Sequence, residues 1–140
     1  MRIDKNTVVF ITGGLSGLGW ETMNHLHTLG AKVAIADLGT DGKMVAEYSA
    51  RFSLEDGYLF LACDVSKESE VKSAVENTVA IFGRIDVAVA CAGVIPMCYT
   101  IDSNGKGFDS GVFQKVMAIN LLGPAYVAKH AAVAMVNNAP

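Results

Sequence analysis

Short apolar runs alternate with longer stretches whose apolar positions recur every three or four residues. The runs TVVFIT (7–12), KVAIAD (32–37), YLFLACDV (58–65) and IDVAVACAG (85–93) lack apolar/polar alternation. They predict strands buried on both faces, as in a parallel sheet. Between them, Leu18, Met23, Leu26 and Leu29 fall near helical spacing ahead of Gly30. Met44, Val45, Tyr48 and Phe52 mark a second helix over 41–52. Val71, Val75, Val79 and Phe82 mark a third, with Ser66 as its N-cap and Ser69 or Glu70 as capping partner. After a looser stretch over 94–107 that holds Pro96, Gly105 and Gly107, helical patterning returns from about Asp109 to Val136. Four strands separated by three helices predict an α/β fold of βαβ units, a Rossmann-like three-layer arrangement.

The first strand runs straight into TGGLSGLG (12–19), which opens the first helix. That context is what a dinucleotide site requires. Gly13 turns the chain, Gly17 leaves room for a pyrophosphate, and Gly19 lets the helix pack closely on the sheet. The helix N-terminus then offers N–H groups and a partial positive charge to the phosphates. Asp37 ends the second strand, where a carboxylate accepts hydrogen bonds from adenosine ribose hydroxyls and repels a 2′-phosphate. No Arg or Lys occupies 13–16 or 38, so the pattern favours NAD over NADP. The competing reading of Asp37 is a solvated turn residue.

Composition excludes other classes. The chain has 140 residues, 51% hydrophobic and 18% charged, with a net charge of −3. It fits one globular domain over 1–140, and nothing in its charge invites nucleic acid or an anionic membrane. No uninterrupted apolar run has the length of a membrane span. No signal or transit segment precedes the first strand, so the expected location is intracellular. Cys63, Cys91 and Cys98 have no metal-type spacing and read as small buried thiols. His25, His27 and His130 fall on helical patterns without a second metal-type ligand nearby, and no metal site is expected.

The spacing Thr12-Gly13-x-x-x-Gly17-x-Gly19 resembles that of the short-chain dehydrogenase/reductase family, and motifs in the family's order follow along the chain. The resemblance implies that Asp64 bonds the adenine amino group and that Val65 lies against the ring. It places Leu15, Ser16 and Leu18, between the glycines, among the cofactor-binding residues. Cys91-Ala92-Gly93 stands in the family's Asn-Asn-Ala-Gly segment, where Ala90 departs from the first Asn. INLLG (119–123) matches the helix segment that carries the tetrad asparagine, here Asn120. By resemblance Asn120 bends its helix through a side-chain-to-backbone contact and helps to hold a water. The strand order implied is 3-2-1-4.

The glycine loop, FGRIDVAVACAGV (82–94) and the long 93–120 interval are most similar to the type-2 3-hydroxyacyl-CoA dehydrogenase branch. That branch implies NAD, oxidation of 3-hydroxyacyl-CoA or hydroxysteroids, a tetramer and a mitochondrial location. Family chemistry also needs a Ser and a Tyr-x-x-x-Lys pair. Tyr126 and Lys129 have the wrong spacing, because the residue four beyond Tyr126 is His130; they read as a packing residue and a helix-face charge. Three readings therefore stand side by side: part of an active dehydrogenase, an NAD-binding module without chemistry, or an interaction half that pairs with a full-length homologue. An alcohol or ketone substrate belongs only to a complete protein. The apolar helix over 109–136, with Leu121, Leu122, Tyr126, Val127 and Val133, is the expected self-association surface.

Overall fold

Apolar residues on both faces bury the first strand along its length and the middle of its neighbour, Val33–Ala36. In the computed structural model, which describes residues 2–39, 43–97 and 99–138, strand β1 (Val8–Thr12) is buried along its whole length. It lies between β2 (Lys32–Asp37) and β4 (Val87–Ala90), and β3 (Tyr58–Ala62) pairs with the far side of β2. All pairings are parallel, and the order is β3-β2-β1-β4, as the resemblance implies. Phe10 aligns with both Ala34 and Ala88, and Thr12 with Ala36 and Ala90. This register puts the strand C-termini level with one another.

The two sheet faces take different helices. Val9, Ile11, Val33 and Ile35 pack with Met23 of α1 (Gly17–Thr28) and with Met44, Val45 and Tyr48 of α2 (Lys43–Arg51). Around them Trp20, Tyr48, Phe52, Tyr58 and Phe60 form a ring cluster, with Trp20 edge-on to Tyr48 at 5.0 Å. On the opposite face Phe10, Ala34 and Ala36 meet Val71, Ala74 and Val75 of α3 (Glu68–Phe82) and Val127 of α5 (Gly123–Val136). Gly83, in the left-handed conformation at φ +86°, stops α3.

Several boundaries differ from the pattern-based ones, each for a local reason. β3 ends at Ala62 instead of Val65, because the Asp64 N–H bonds the Glu70 carboxylate at 2.8 Å and leaves the ladder. β4 shrinks to four residues. Before it, the Ile85 N–H and C=O pair with the Asn138 side chain, and Arg84 bonds Asp86. After it, Cys91–Gly93 turns towards Gly13. Ser66 does not cap α3: its hydroxyl donates to Asp64 Oδ1 at 2.7 Å, and Lys67 holds the cap position. The start of the second helix, Asp41 and Gly42, lies outside the described residues, as does Cys98.

The long C-terminal helix is not uniform. Asp109 caps α4 (Ser110–Met117) by accepting from the Gly111 and Val112 N–H groups. A π-helical turn over Ala118–Leu122 follows, and Pro124 then sits in the first turn of α5. The run Ser110–Val136 spans 27 residues, and its most apolar window has mean hydropathy 1.2. By length and composition it is long and apolar enough to cross a membrane, although polar residues such as Asn120, Lys129 and His130 interrupt it. Here Gly123, Val127 and Ala131 seat its second half on the sheet. Val127, expected to be exposed, is therefore buried, and Tyr126 is half-buried, whereas Leu121, Leu122 and Val133 are exposed. Lys129 does more than charge a helix face: its Nζ bonds Glu68 Oε1 at 2.6 Å, and His130 Nε2 meets the same oxygen at 3.1 Å, tying α5 to the start of α3.

Candidate functional site

The four aligned strand ends open into a cleft of about 350 Å³. Its wall begins with the turn after β1. Gly13 has φ +69°, and a Cβ there would lie 2.5 Å from the Ala92 nitrogen. Two chain segments thus cross almost backbone to backbone, which only glycine permits. At Gly19 a Cβ would strike the Gly13 carbonyl oxygen, so this glycine lets the helix press against the backbone that leaves β1.

At the start of α1 the Ser16 side chain makes no capping hydrogen bond, and the first turn carries no acidic residue. Ser16, Gly17, Leu18 and Gly19 all face the cleft. A Cβ on Gly17 would meet nothing within 4 Å, so that position looks into open cleft. Helix N–H groups without side-chain partners, beside bare glycines, form a cradle for a phosphate group.

Asp37 stands at the end of β2 and lines the cleft with Leu38. Its Oδ2 accepts from the Leu15 N–H at 3.0 Å, and its Oδ1 accepts from the Gly39 N–H at 3.0 Å. Both oxygens keep spare lone pairs for hydroxyl donors. Leu15, expected among the binding residues, contributes only this amide; its side chain is buried in the core and does not line the cleft.

Cys63, Asp64 and Val65 form the wall beside Asp37. Desolvation alone would raise Asp64, but the Ser66 hydroxyl and amide and the Lys67 ammonium outweigh it and hold the carboxyl below its ordinary value. Glu70 is lowered too, by Lys67 first and then by the Asp64 amide. Carboxyls lowered by folding contribute stability above the ordinary carboxylate range, and it is lost as pH falls through the lowered values. Melting temperatures should therefore decline modestly below about pH 4, and Asp64→Asn should flatten part of that acid slope. Burial, then the nearby carboxylates, pushes the Cys63 thiol up to about 12. It is a packed thiol and not a nucleophile.

Cys91, Ala92 and Gly93 line the other end of the cleft, joined by Val94 and Ile119. Asn120 sits behind them in the π-helical turn. Its Nδ2 donates to the Val94 carbonyl at 2.8 Å, and its Oδ1 accepts from the Val94 N–H at 2.9 Å. The expected contact with its own helix is thus replaced by a clamp on the loop after β4. The π geometry supplies the bend, and the side chain reaches across. Asn120→Ala removes two exposed hydrogen bonds and should cost about 1 kcal/mol. Hydrogen exchange at the Val94 amide, measured by NMR, should quicken while the β1 and β2 amides stay protected.

Leu38, Val94 and Ile119 were not legible as cleft residues. Leu38 had a signal, being next to Asp37; the other two depend on how the helix returns over β4. Among the described residues no group of three metal-type ligands gathers at the cleft or elsewhere.

A family model described as enoyl-(acyl carrier protein) reductase matches residues 13–139. The chain is 40% identical over 137 residues to short-chain dehydrogenase reductase 3b of Arabidopsis thaliana, covering 96% of this chain and 49% of that protein. It is 36% identical over 140 residues to human 3-hydroxyacyl-CoA dehydrogenase type-2, covering 99% and 52%. A solved short-chain type dehydrogenase/reductase from Mycobacterium ulcerans superposes with TM-score 0.78 at 30% identity, covering 95% and 48%. The chain spans about half the length of the curated relatives it matches.

Proposed function

The chain belongs to the short-chain dehydrogenase/reductase family, and from that premise we propose that it forms the nucleotide-binding part of an NAD-linked dehydrogenase acting on a secondary alcohol. The observation that carries the reading is the single cleft joining an unblocked helix N-terminus to the Asp37 carboxylate. The cradle fits a nicotinamide dinucleotide: bare glycines where a pyrophosphate needs close backbone approach, and a carboxylate where ribose hydroxyls donate. When bound, that group accepts or returns the hydride.

This chain's residues bind and orient. Gly13, Ser16, Gly17 and Leu18 surround the phosphate position. Asp37 and Leu38 take the adenosine end with Asp64 and Val65. Asn120 holds Val94, and with it the Cys91–Gly93 wall, in place. Proton transfer needs a phenol activated by a nearby cation, since an ordinary tyrosine stays protonated at neutral pH. None of the four tyrosines has a lysine four residues on, and Lys129 is committed to Glu68. The name of the human relative, 3-hydroxyacyl-CoA dehydrogenase type-2, extends the substrate proposal to 3-hydroxyacyl-CoA, and the branch that the sequence resembles adds hydroxysteroid alcohols.

Thermal melts with and without nucleotide test the reading, run beside an assay for NADH formation from NAD and a panel of secondary alcohols. NAD should raise the melting temperature more than NADP does, because a ligand that binds only the folded state stabilises it. No NADH should form. Absence of any nucleotide shift would overturn the binding role; NADH production by the pure chain would overturn the division of labour.

A second reading, an interaction half that pairs with another copy or a longer homologue, is favoured by one observation. β4 has a strand partner on one side only among the described residues, and Leu121, Leu122, Val133 and Val136 stand exposed on the helical run beside it. Unpaired edges and apolar patches promote association. Light scattering coupled to size exclusion should therefore report dimers or larger species at micromolar concentration, and a clean monomer would refute the association.

A further inference from the structure

The outer edge of β3 presents backbone groups in a fixed phase. The Gly57 C=O accepts from the Val33 N–H at 2.8 Å, and the Cys63 N–H donates to the Asp37 C=O at 2.9 Å. Groups alternate along a parallel ladder. With Val33, Ile35 and Asp37 opposite Tyr58, Phe60 and Ala62, these last three turn their amides and carbonyls away from β2. β3 stands last in the sheet order. The Tyr58 N–H is taken by the Ser53 C=O at 3.2 Å, whereas the Phe60 and Ala62 groups have no partner on that side among the described residues. Edge strands are commonly blunted by Lys, Pro or a bulge; Tyr58–Ala62 has none of these.

Beside the end of this edge, a groove of about 250 Å³ runs between Leu61–Ala62 and α3. Ser69, Ser73 and Asn77 line it at helical spacing, and their side chains make no hydrogen bond among the described residues. Glu70 lines it too, bonded to Lys67 through Oε1 and to the Asp64 N–H through Oε2. Acidic residues flank the edge at both ends: Glu55 and Asp56 before the strand, Asp64 and Glu70 after it. Lys67, paired with Asp64 and Glu70, offsets one of these charges.

We propose that the β3 edge takes an extended segment of a partner protein as an added strand, one that alternates apolar and polar residues and carries a basic side chain opposite Leu61. Backbone bonds to Phe60 and Ala62 supply affinity, and alternate side chains supply specificity. Leu59 and Leu61 face α3, and Tyr58 and Phe60 face the ring cluster on the other side. A Lys or Arg opposite Leu61 therefore enters the groove, where Ser69, Ser73 and Asn77 accept and Glu70 attracts. The apolar residues in between extend the ring cluster. A second copy of the chain fits less well. Antiparallel pairing centred on Phe60 brings Asp56 of one copy opposite Asp64 of the other, and like charges facing across strands destabilise the pair.

The test adds the end-capped peptide Val-Thr-Val-Lys-Val-Thr-Val to the chain and follows hydrogen exchange of backbone amides by NMR. The Phe60 and Ala62 amides should become saturably protected, with those of Val87–Ala90 unchanged. Exchanging the peptide's Lys for Glu should weaken binding about fivefold to tenfold. Ala62→Pro removes an outward N–H at an edge position, where proline is tolerated; it should weaken the peptide about tenfold and leave energy transfer from Trp20 to NADH unchanged. A peptide N-methylated along its bonding edge decides the same point without altering the chain, and it should not bind. Unaltered binding after N-methylation, equal binding of the Lys and Glu peptides, or protection at β4 alone would overturn the proposal. So would protection of Phe60 and Ala62 that rises with chain concentration in the absence of peptide, which would assign the edge to a second copy.

Discussion

Replacing Gly13 by valine should abolish nucleotide binding and cost the fold about 3 kcal/mol or more. Two effects add. A β-branched residue at φ +69° is strained by about 1–3 kcal/mol. Its Cβ would also meet the Ala92 nitrogen at 2.5 Å and the Cys91 carbonyl carbon at 2.8 Å, both backbone atoms that cannot swing aside, and such overpacking adds about 1–3 kcal/mol. The melting temperature should drop by roughly 10 °C or more. Gly105 is the control. It has φ +76° but open space around its Cβ position, so Gly105→Val should show the strain alone and leave nucleotide binding intact. Equal losses at the two sites would remove close packing at the cleft from the account.

Asp37→Ala should weaken NAD by about tenfold to a hundredfold and shrink or reverse its advantage over NADP. A carboxylate accepting from ribose hydroxyls makes charge-assisted bonds of about 1.5–3 kcal/mol, and the same charge repels a 2′-phosphate. The variant also strips acceptors from the Leu15 and Gly39 amides, so some stability is lost with it. Asp37→Asn separates the two contributions. It keeps the side chain's shape and removes the charge, so NADP should gain relative to NAD while the melting temperature falls less than for alanine. Calorimetric titration with both nucleotides reads the ratio, and an unchanged ratio in both variants would leave Asp37 as a turn residue.

The sheet was legible because β1 over Val8–Ile11 and β2 over Val33–Ala36 are unbroken apolar runs, a pattern that survives whatever surrounds it. Strand ends were not, because side chains far along the sequence decide them. Glu70 pulls the Asp64 amide out of the ladder, and Asn138 takes both backbone groups of Ile85. The glycine loop was legible as a phosphate cradle, since its strand and helix flanks are local. Which atom lies closest to Gly19, the Gly13 carbonyl oxygen, is a matter of three-dimensional crossing and left no mark in the spacing. Asn120 shows the same limit: INLLG marks the residue, but the π-helical turn and the clamp on Val94 come from the return of the helix across β4. The Glu68–Lys129–His130 tie, more than 60 residues apart in sequence, left no local trace at all.

Trp20 is the chain's one tryptophan and stands in the first turn of the helix that faces the cleft. Titrating NADH while exciting that indole therefore tests the central claim most directly. Saturable energy transfer should appear, with one nucleotide bound per chain. NAD should reverse it, and NADP should do so only at much higher concentration. Absence of saturable transfer at millimolar NADH, or displacement by NADP as readily as by NAD, would contradict the account.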